Sequence, residues 1–233
     1  VAEGALDREI AGATVVDPLI LGDGLEPARL EERVQGQRLR ATHRHGKHVF
    51  ARLGAGTGWL ALHFGMTGSV RVVADGALPE YAYVQLHFAD GGHLAFRCPR
   101  KFARVRLIDT PEAFVEAKNL GPDMRRASVE TFRERLAPRR GTIKGRLLDQ
   151  EVVAGLGNIY ADEALYQTGV HPRTPVPALS AQDEEALYDA IQTVLDAAIA
   201  ADADAEDLDP DRFMRPHRYG DEHCPNPGVP LQA

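Results

Sequence analysis

Residues 142–165 read TIKGRLLDQEVVAGLGNIYADEAL and are the most informative segment of the chain. Residues 142–149 predict a short helix, Gly155-Leu-Gly157 predicts a tight turn, and Asn158 predicts the start of a second helix. The N–H groups at a helix start carry partial positive charge, and glycines let a ligand approach them closely. The stretch therefore predicts a phosphate-binding turn, although the same glycines could serve only to pack two helices tightly. Neither a dinucleotide fingerprint nor a phosphate-loop lysine follows, which disfavours the common nucleotide-binding motifs.

Helical patterns extend on both sides of this stretch. Thr110-Pro-Glu112 and Ser128-Val-Glu130 are typical helix starts, and Ser180 with Asp183 three residues later is close to a capping box. The apolar residues that follow are spaced for one face of an amphipathic helix, namely Leu187, Ile191, Val194, Leu195 and Ala198. Residues 197–211 are rich in alanine and aspartate and predict a mobile loop.

The first half of the chain instead predicts antiparallel strands, because apolar residues recur at every second position. The alternating residues are Leu60, Leu62 and Phe64, then Val84, Leu86 and Phe88, then Leu94 and Phe96, then Val105 and Leu107. Asp90-Gly-Gly92 predicts a hairpin turn. Residues 1–10 predict a helix with Ala5, Leu6 and Ile10 on one face. A boundary near Leu120 therefore separates a β half from an α half.

The composition is that of an ordinary globular protein. Its 233 residues suffice for one large domain or two modest ones, with 44% apolar and 26% charged residues. No apolar run approaches the roughly 20 residues that span a bilayer, and the start lacks the pattern of a signal peptide. Two cysteines, Cys98 and Cys224, are too few for a disulfide framework. We therefore expect a cytoplasmic protein without membrane contact.

The net charge of -7 conceals a segregation of charge along the chain. Residues 181–211 contain 11 acidic residues and no basic one, so the remainder of the chain carries a net charge of +4. Basic residues cluster in three segments, 38–52, 97–106 and 133–146. Such clustering suits a surface that faces phosphates, while the alternative is that these charges are solvated faces.

Three groups of residues carry a longer pattern. The first runs from Lys144 through Asn158-Ile-Tyr-Ala to Glu163 and His171-Pro172. The second is Arg44-His-Gly-Lys47 together with Leu62-His-Phe-Gly-Met-Thr-Gly-Ser69, and the third is Cys98-Pro-Arg-Lys-Phe102. Together they resemble the helix-two-turn-helix, the lysine-bearing strand, the His-x-Gly-Met-x-Gly segment and the Asp-Pro-Arg-Arg-Phe segment of the formamidopyrimidine-DNA glycosylase and endonuclease VIII family. The pattern is closer to the formamidopyrimidine branch.

The resemblance implies an α+β fold and a function in DNA repair. Residues 1–119 would form an antiparallel β-sandwich, 120–212 a helix-two-turn-helix DNA-binding domain, and 213–233 the remnant of a truncated or degenerate zinc ribbon. The implied activity is that of a base-excision-repair DNA glycosylase with β-lyase activity on oxidised bases, of formamidopyrimidine or 8-oxoguanine type. The partner would be double-stranded DNA with an oxidised base or an abasic site, bound by a cytoplasmic monomer. The alternatives are a non-catalytic relative that binds damaged or distorted DNA, and a protein that binds structured RNA.

The same resemblance assigns roles to seven residues. They are Lys47, Lys144, Arg146 and Asn158 as contacts to DNA phosphates, and Met66, Arg100 and Phe102 as the side chains that fill the gap left by an extruded base. A thioether, a guanidinium and an aromatic ring can partly restore the stacking and pairing that a duplex loses when one base leaves it.

Both ends of the chain depart from the family pattern. The family's N-terminal Pro-Glu supplies the amine that attacks the sugar C1′ and the acid beside it, and it would precede Val1, so no catalytic residue is assigned. Near the other end, Cys224 occupies a zinc-ribbon position while Pro227 replaces the next cysteine. One thiolate cannot hold a structural zinc, so we expect no metal and no cofactor.

Other departures concern the interior of the chain. Cys98 replaces an aspartate of the family pattern, and residues 197–211 do not resemble the family's glycine- and threonine-rich loop, which leaves the lesion preference open. His43, His45 and His48 are close together in sequence, but no carboxylate or cysteine at ligand spacing accompanies them, so they do not predict a metal site.

Overall fold

A computed structural model describes residues 2–54, 56, 58–138, 140–202, 208–209 and 212–214 of the chain. The chain divides after Asn119 into two compact parts, Val1–Asn119 and Leu120–Ala233, which we call the β unit and the helical unit. Each has a hydrophobic core of its own. The β unit is built mainly of strands and the helical unit of helices, which confirms the predicted α+β class.

Among its described residues, the β unit contains two four-stranded antiparallel sheets. Sheet 1 has the strand order β1-β6-β7-β5 and sheet 2 has the order β2-β3-β4-β8. The strands are β1 (Ile10–Val15), β2 (Leu39–His45), β3 (His48–Leu53), β4 (Trp59–His63), β5 (Ser69–Val73), β6 (Ala82–Phe88), β7 (His93–Arg97) and β8 (Arg104–Ile108). The helices are α1 (Ala2–Ala5), α2 (Pro27–Val34), α3 (Pro111–Ala117) and a 3-10 turn at Pro18–Ile20.

The two sheets pack face to face around one core, as the sequence predicts for a sandwich. That core combines Leu86, Phe88 and Phe96 of sheet 1 with Leu39, Leu53 and Leu60 of sheet 2. Each large apolar side chain that is fully buried stabilises the fold by roughly 1.5–3 kcal/mol relative to exposure. The predicted hairpin turn at residues 90–92 is confirmed, since it connects β6 to β7.

A second apolar layer covers the outer face of sheet 2. Phe50 is fully buried, and its ring centroid lies 5.6 Å from that of Phe114 on α3. Ala61 is the cross-strand partner of Phe50 and is buried as well. The alternation in β4 predicts only one buried face, with Leu60 inside and Ala61 outside. Because α3 packs on this face, both residues are buried.

The helix predicted for residues 1–10 is largely wrong. The first helix covers only Ala2–Ala5, Asp7 adopts a positive φ of 60°, and Ile10 begins β1 by pairing with Phe88. Ile10 is fully buried in the sandwich core. Its spacing from Ala5 suits a helix, but pairing in sheet 1 satisfies the backbone and buries the side chain at once, so tertiary contacts override local spacing.

The helical unit contains α4 (Val129–Leu136), α5 (Ile143–Leu148), α6 (Asn158–Thr168), α7 (Ala181–Ala200) and a 3-10 turn at Val176–Ala178. The predicted helix starts are confirmed. Thr110 and Ser128 cap α3 and α4 with their side chains, and Ser180 forms a complete capping box with Asp183. The apolar face predicted for α7 is buried in the core of this unit, where it meets Phe132 and Leu136 of α4.

Some expectations fall on residues outside the described part of the chain. The zinc-ribbon positions Cys224 and Pro227 lie there, as do residues 203–207 and 210–211 of the predicted mobile loop. The first residues of that loop prediction are helical instead, since α7 continues to Ala200. Within the described residues, no helix combines the length and the apolar character needed to cross a membrane.

Candidate nucleic-acid interface

Three turns of the β unit meet at one end of sheet 2. The register places His48 opposite His63, and His63 opposite Arg104, so the ends of the strands lie side by side. The segments that leave these ends are residues 46–47, 64–68 and 98–103, which we call the sheet-end surface. All four β-unit residues that the resemblance assigns to DNA contacts belong to this surface.

Lys47 occupies the two-residue turn between β2 and β3. Its side chain is partly buried, and burial lowers the pKa of its ammonium group. An anionic oxygen beside the ammonium would offset the lost hydration, because opposite charges attract more strongly where water is partly excluded. The position therefore suits a phosphate contact.

His63 is a residue of this region that the sequence analysis did not select. Its Nδ1 accepts a hydrogen bond of 3.2 Å from the Gly65 N–H, so the neutral ring carries its proton on Nε2. Burial lowers the pKa of His63, and the positive charges of Lys47 and Arg106 lower it further. The ring thus offers an uncharged N–H donor in basic surroundings. The sequence could have pointed to His63, because it lies between Leu62 and Met66 in the segment that resembles the family's His-x-Gly-Met-x-Gly pattern.

His48 packs as an aromatic side chain. Its ring centroid lies 5.0 Å from that of His63 and 5.1 Å from that of Phe114. Burial lowers the pKa of His48 to about 4, and the positive charge of Arg106 contributes. In the described residues, no group of three or more histidine, cysteine, aspartate or glutamate side chains is arranged to hold a metal ion.

Met66 and Phe102 are exposed although both are large and apolar. Their exposed fractions are 68% and 54%. The turn that carries Met66 packs on Phe102, because a Cβ added to Gly65 would lie only 2.7 Å from the Phe102 carbonyl carbon. The Arg100 guanidinium lies 5.5 Å from the centroid of the Phe102 ring. The two segments that present the three predicted gap-filling residues are therefore in direct contact.

Cys98 holds the base of the loop that presents Arg100 and Phe102. It is buried, and its sulfur accepts a hydrogen bond of 3.2 Å from the Ala103 N–H. The Arg104 guanidinium donates to the carbonyls of two loop residues at 2.9 and 2.6 Å. The thiol thus provides an acceptor where the family pattern has an aspartate.

Gly65→Ala should destabilise the β unit more than Gly76→Ala does. Both glycines have positive φ, 63° and 74°. A Cβ at Gly76 would meet no atom of the described residues within 4 Å, whereas one at Gly65 would strike Phe102. We expect a loss of about 1 kcal/mol for Gly76→Ala from backbone strain, and about 1–3 kcal/mol more for Gly65→Ala. Urea unfolding followed by the fluorescence of Trp59, the single tryptophan, measures both. Equal losses would show that the Met66 turn does not rest on Phe102.

The turn between α5 and α6 is held by a side chain that the sequence analysis missed. Gln150 Nε2 donates to the carbonyls of Leu148 at 2.9 Å and Leu156 at 3.0 Å, while its Oε1 accepts from the Gly155 N–H at 3.0 Å. Gly155 has a φ of 119°, which a residue with a Cβ rarely adopts. No sequence signal marks Gln150, because a glutamine after a helix is equally compatible with exposure to solvent.

Asn158 begins α6, as predicted, but its side chain does not cap the helix. Gly157 is the N-cap residue and Asn158 is the first helical residue. The Asn158 side chain lies at the surface, where its Nδ2 donates to Asp162 Oδ2 at 3.4 Å. Asn158 thus lies at the helix start with its amide directed to a carboxylate one turn further along α6.

The two predicted basic residues of α5 have different partners. Lys144 Nζ lies 2.6 Å from Asp162 Oδ1, and Arg146 pairs with Asp149 at 3.0 Å. Lys144 and Asn158 thus meet at one carboxylate, that of Asp162, while Arg146 pairs with the carboxylate of Asp149. We call Lys144, Asn158 and Asp162 the helix-turn site.

Two family models match most of the chain. The model described as the formamidopyrimidine-DNA glycosylase N-terminal domain matches residues 1–105. The model described as the formamidopyrimidine-DNA glycosylase H2TH domain matches residues 120–208. The matched segments include the sheet-end surface and the helix-turn site.

The chain is also similar to individual proteins named formamidopyrimidine-DNA glycosylase. The chain is 34% identical over 223 residues to a formamidopyrimidine-DNA glycosylase of Desulfitobacterium hafniense, which covers 90% of this chain and 81% of the relative. It is 29% identical over 221 residues to one of Arabidopsis thaliana, which covers 88% of this chain but only 56% of that longer relative. A solved complex of Lactococcus lactis FPG with DNA containing FAPY-dG is similar at a TM-score of 0.79 and 28% identity, covering 88% of this chain and 77% of that chain.

Proposed function

The chain belongs to the formamidopyrimidine-DNA glycosylase family, whose members are base-excision-repair glycosylases and abasic-site lyases, and we propose that it binds duplex DNA at an oxidised base or an abasic site. The observation that carries the proposal is the exposed apolar pair Met66 and Phe102 beside Arg100. Exposed apolar residues grouped with a cation are characteristic of binding surfaces. Its cellular location in the cytoplasm and its monomeric state remain predictions.

The gap-filling role follows from the chemistry of the three side chains. A duplex from which one base has left contains a cavity bounded by the faces of two stacked bases. Insertion of Met66 and Phe102 would bury apolar surface that is exposed in the free protein, which contributes roughly 1.5–3 kcal/mol for each side chain that becomes fully buried. Arg100 would donate hydrogen bonds to the base that has lost its partner, since its guanidinium carries five N–H groups.

The phosphate contacts of the proposal come from both parts of the chain. In the β unit, Lys47 supplies a charge and His63 an uncharged donor beside it. In the helical unit, Lys144 and Asn158 present an ammonium and an amide at the helix-turn site. Arg146 is proposed as a further phosphate contact, since its described pair with Asp149 engages Nη1 of a guanidinium that has several donors.

Replacing these residues should weaken binding to a duplex that contains a stable abasic-site analogue. We expect Lys47→Ala and Asn158→Ala each to raise the Kd by about tenfold, comparable to the loss of one good polar contact. Lys47→Ala should also reduce the slope of log K against log salt by about one, because one fewer phosphate is neutralised, whereas Asn158→Ala should leave the slope unchanged. Fluorescence anisotropy at several salt concentrations measures both quantities.

Arg29→Ala is the matched control for this experiment. Arg29 is an exposed cation on α2 and belongs to neither the sheet-end surface nor the helix-turn site. Its loss should change the Kd by less than about twofold, since an isolated surface charge contributes little. Equal effects of Arg29→Ala and Lys47→Ala would indicate general electrostatic attraction and contradict the proposed site.

Borohydride trapping on abasic-site DNA separates the enzyme from a non-catalytic relative. The resemblance assigns the attacking amine to an N-terminal proline, so the test uses protein that begins with the family's Pro-Glu. Attack of the amine on the sugar C1′ forms a Schiff base, which borohydride reduces to a stable adduct. A covalent adduct supports the lyase. Tight binding without any adduct would support a protein that only recognises damaged DNA.

A further inference from the structure

The helix-turn site contains an anion of its own, the carboxylate of Asp162. Asp162 Oδ1 lies 2.6 Å from Lys144 Nζ, and its other oxygen, Oδ2, accepts from Asn158 Nδ2 at 3.4 Å. The Asp162 side chain is only 14% exposed and that of Lys144 is 29% exposed, so water screens this pair incompletely. One carboxylate therefore engages both residues that the proposed function assigns to a DNA phosphate.

A carboxylate and a phosphodiester present the same recognition chemistry to these two donors. Each offers two anionic or strongly accepting oxygens, and each forms charge-assisted hydrogen bonds with an ammonium group. A phosphate that binds Lys144 and Asn158 must share them with Asp162 or displace it, and in either case it approaches a negative charge. The arrangement opposes binding of the DNA backbone.

We propose that Asp162 is a resident competitor for the DNA phosphate, and that it lowers the affinity of the protein for DNA. This inference rests on the proposed function, because it takes Lys144 and Asn158 as phosphate contacts. A DNA phosphate has to displace the carboxylate of Asp162 from the helix-turn site. It can do so only when other contacts already hold the DNA backbone there. Asp162 is thus a specificity-determining residue, because it makes the affinity for DNA depend more strongly on the contacts outside the helix-turn site.

The ion pair between Lys144 and Asp162 could also have a purely structural role, and the packing of the helical unit allows this role to be tested. The helices that carry Lys144 and Asp162 are also joined through a buried apolar core that includes Ile143, Leu147 and Leu165. Asp162→Asn keeps the size of the side chain and one acceptor oxygen, while it removes the charge and replaces the other oxygen with an NH2 donor. The fold should therefore tolerate this substitution, which thermal unfolding by circular dichroism checks.

The test compares Asp162→Asn with Glu185→Gln in binding to a duplex that contains a tetrahydrofuran abasic-site analogue. Glu185 is exposed on α7, 3.1 Å from Arg133, so its change removes the same charge from the helical unit outside the site. We expect Asp162→Asn to lower the Kd by about three- to tenfold and to steepen the salt slope by up to about one, as Lys144 neutralises a phosphate fully. Glu185→Gln should stay within about twofold of the wild type.

A double-mutant cycle with Lys144→Met identifies the cause of any gain. If Asp162 acts by occupying Lys144, the gain from Asp162→Asn should fall below about twofold in the Lys144→Met background. An undiminished gain in that background would overturn the proposal in favour of simple charge repulsion, and so would equal effects of Asp162→Asn and Glu185→Gln. If the wild type does not bind the duplex at all, the proposed function fails and removes the basis of this inference. If it binds while Lys144→Met has no effect, the phosphate assignment alone fails.

Discussion

Phe132→Ala is expected to lower the free energy of unfolding of the helical unit by about 3–5 kcal/mol, because it deletes a large ring from a closely packed core. Phe132 is fully buried on α4, and its ring centroid lies 6.0 Å from that of Tyr188 on α7. The ring therefore contributes to the contact between two helices that are far apart in sequence. Urea unfolding followed by circular dichroism at the helical band measures the loss. DNA binding should fail in parallel at temperatures where the variant is unfolded.

Ile199→Ala is the control for this prediction. Ile199 lies near the end of α7 in the same unit, but 58% of it is exposed. Its truncation should change the free energy of unfolding by less than about 0.5 kcal/mol, as is usual for surface positions. A loss below about 1 kcal/mol for Phe132→Ala would mean that the ring is not enclosed as described.

Acid is expected to destabilise the β unit through His48. Burial lowers the pKa of His48 from 6.5 to about 4 in the folded state. The unfolded chain therefore takes up this proton first as the pH falls, so stability that is fully present above pH 6.5 is lost as the pH falls towards about 4. Because each pKa unit corresponds to about 1.4 kcal/mol, we expect His48 to cost about 1–2 kcal/mol at pH 5 relative to pH 7. His63, whose pKa is also lowered, adds in the same direction.

His48→Phe isolates the contribution of this residue. The replacement ring would pack between Phe50 and Phe114, and among the described residues His48 Nδ1 has no hydrogen-bond partner that would be lost. The variant should be at least as stable as the wild type at pH 7 and should lose less stability at pH 5. Urea unfolding reported by Trp59, which lies in the same sheet, measures this at both pH values. His171→Gln, at an exposed position, is the control, and an unchanged pH dependence in His48→Phe would contradict the assignment.

The sequence predicted the local features of the fold well because those features depend on neighbouring residues. Ser180 with Asp183 encodes a capping box, and the structure contains it. The helix predicted for residues 1–10 was largely wrong, because Ile10 pairs in sheet 1 with Phe88, which lies almost eighty residues away in the sequence. Local spacing contains no information about such a partner.

The residues of the candidate site likewise include some that sequence motifs selected and others that became apparent only in the structure. Motif resemblance selected Met66, Arg100 and Phe102, and the structure brings the segments that carry them into contact. It did not select Gln150, whose bonds to the turn between α5 and α6 become visible only once that turn is closed. His63 was likewise missed, because its neutral state depends on burial and on charges that converge from separate strands.

Short contiguous segments were enough to predict the α+β class and the family, because periodicity, caps and motifs reside in them, and motif resemblance selected the residues that we propose to contact DNA. The neutral ring of His48 and the contacts of Asp162 with Lys144 and Asn158 could be read from the folded structure alone. Those properties depend on burial and on ångström-scale distances between side chains from different elements. Such distances arise only when the chain has folded, since the free energy of a charge is set by its surroundings and not by its neighbours in sequence.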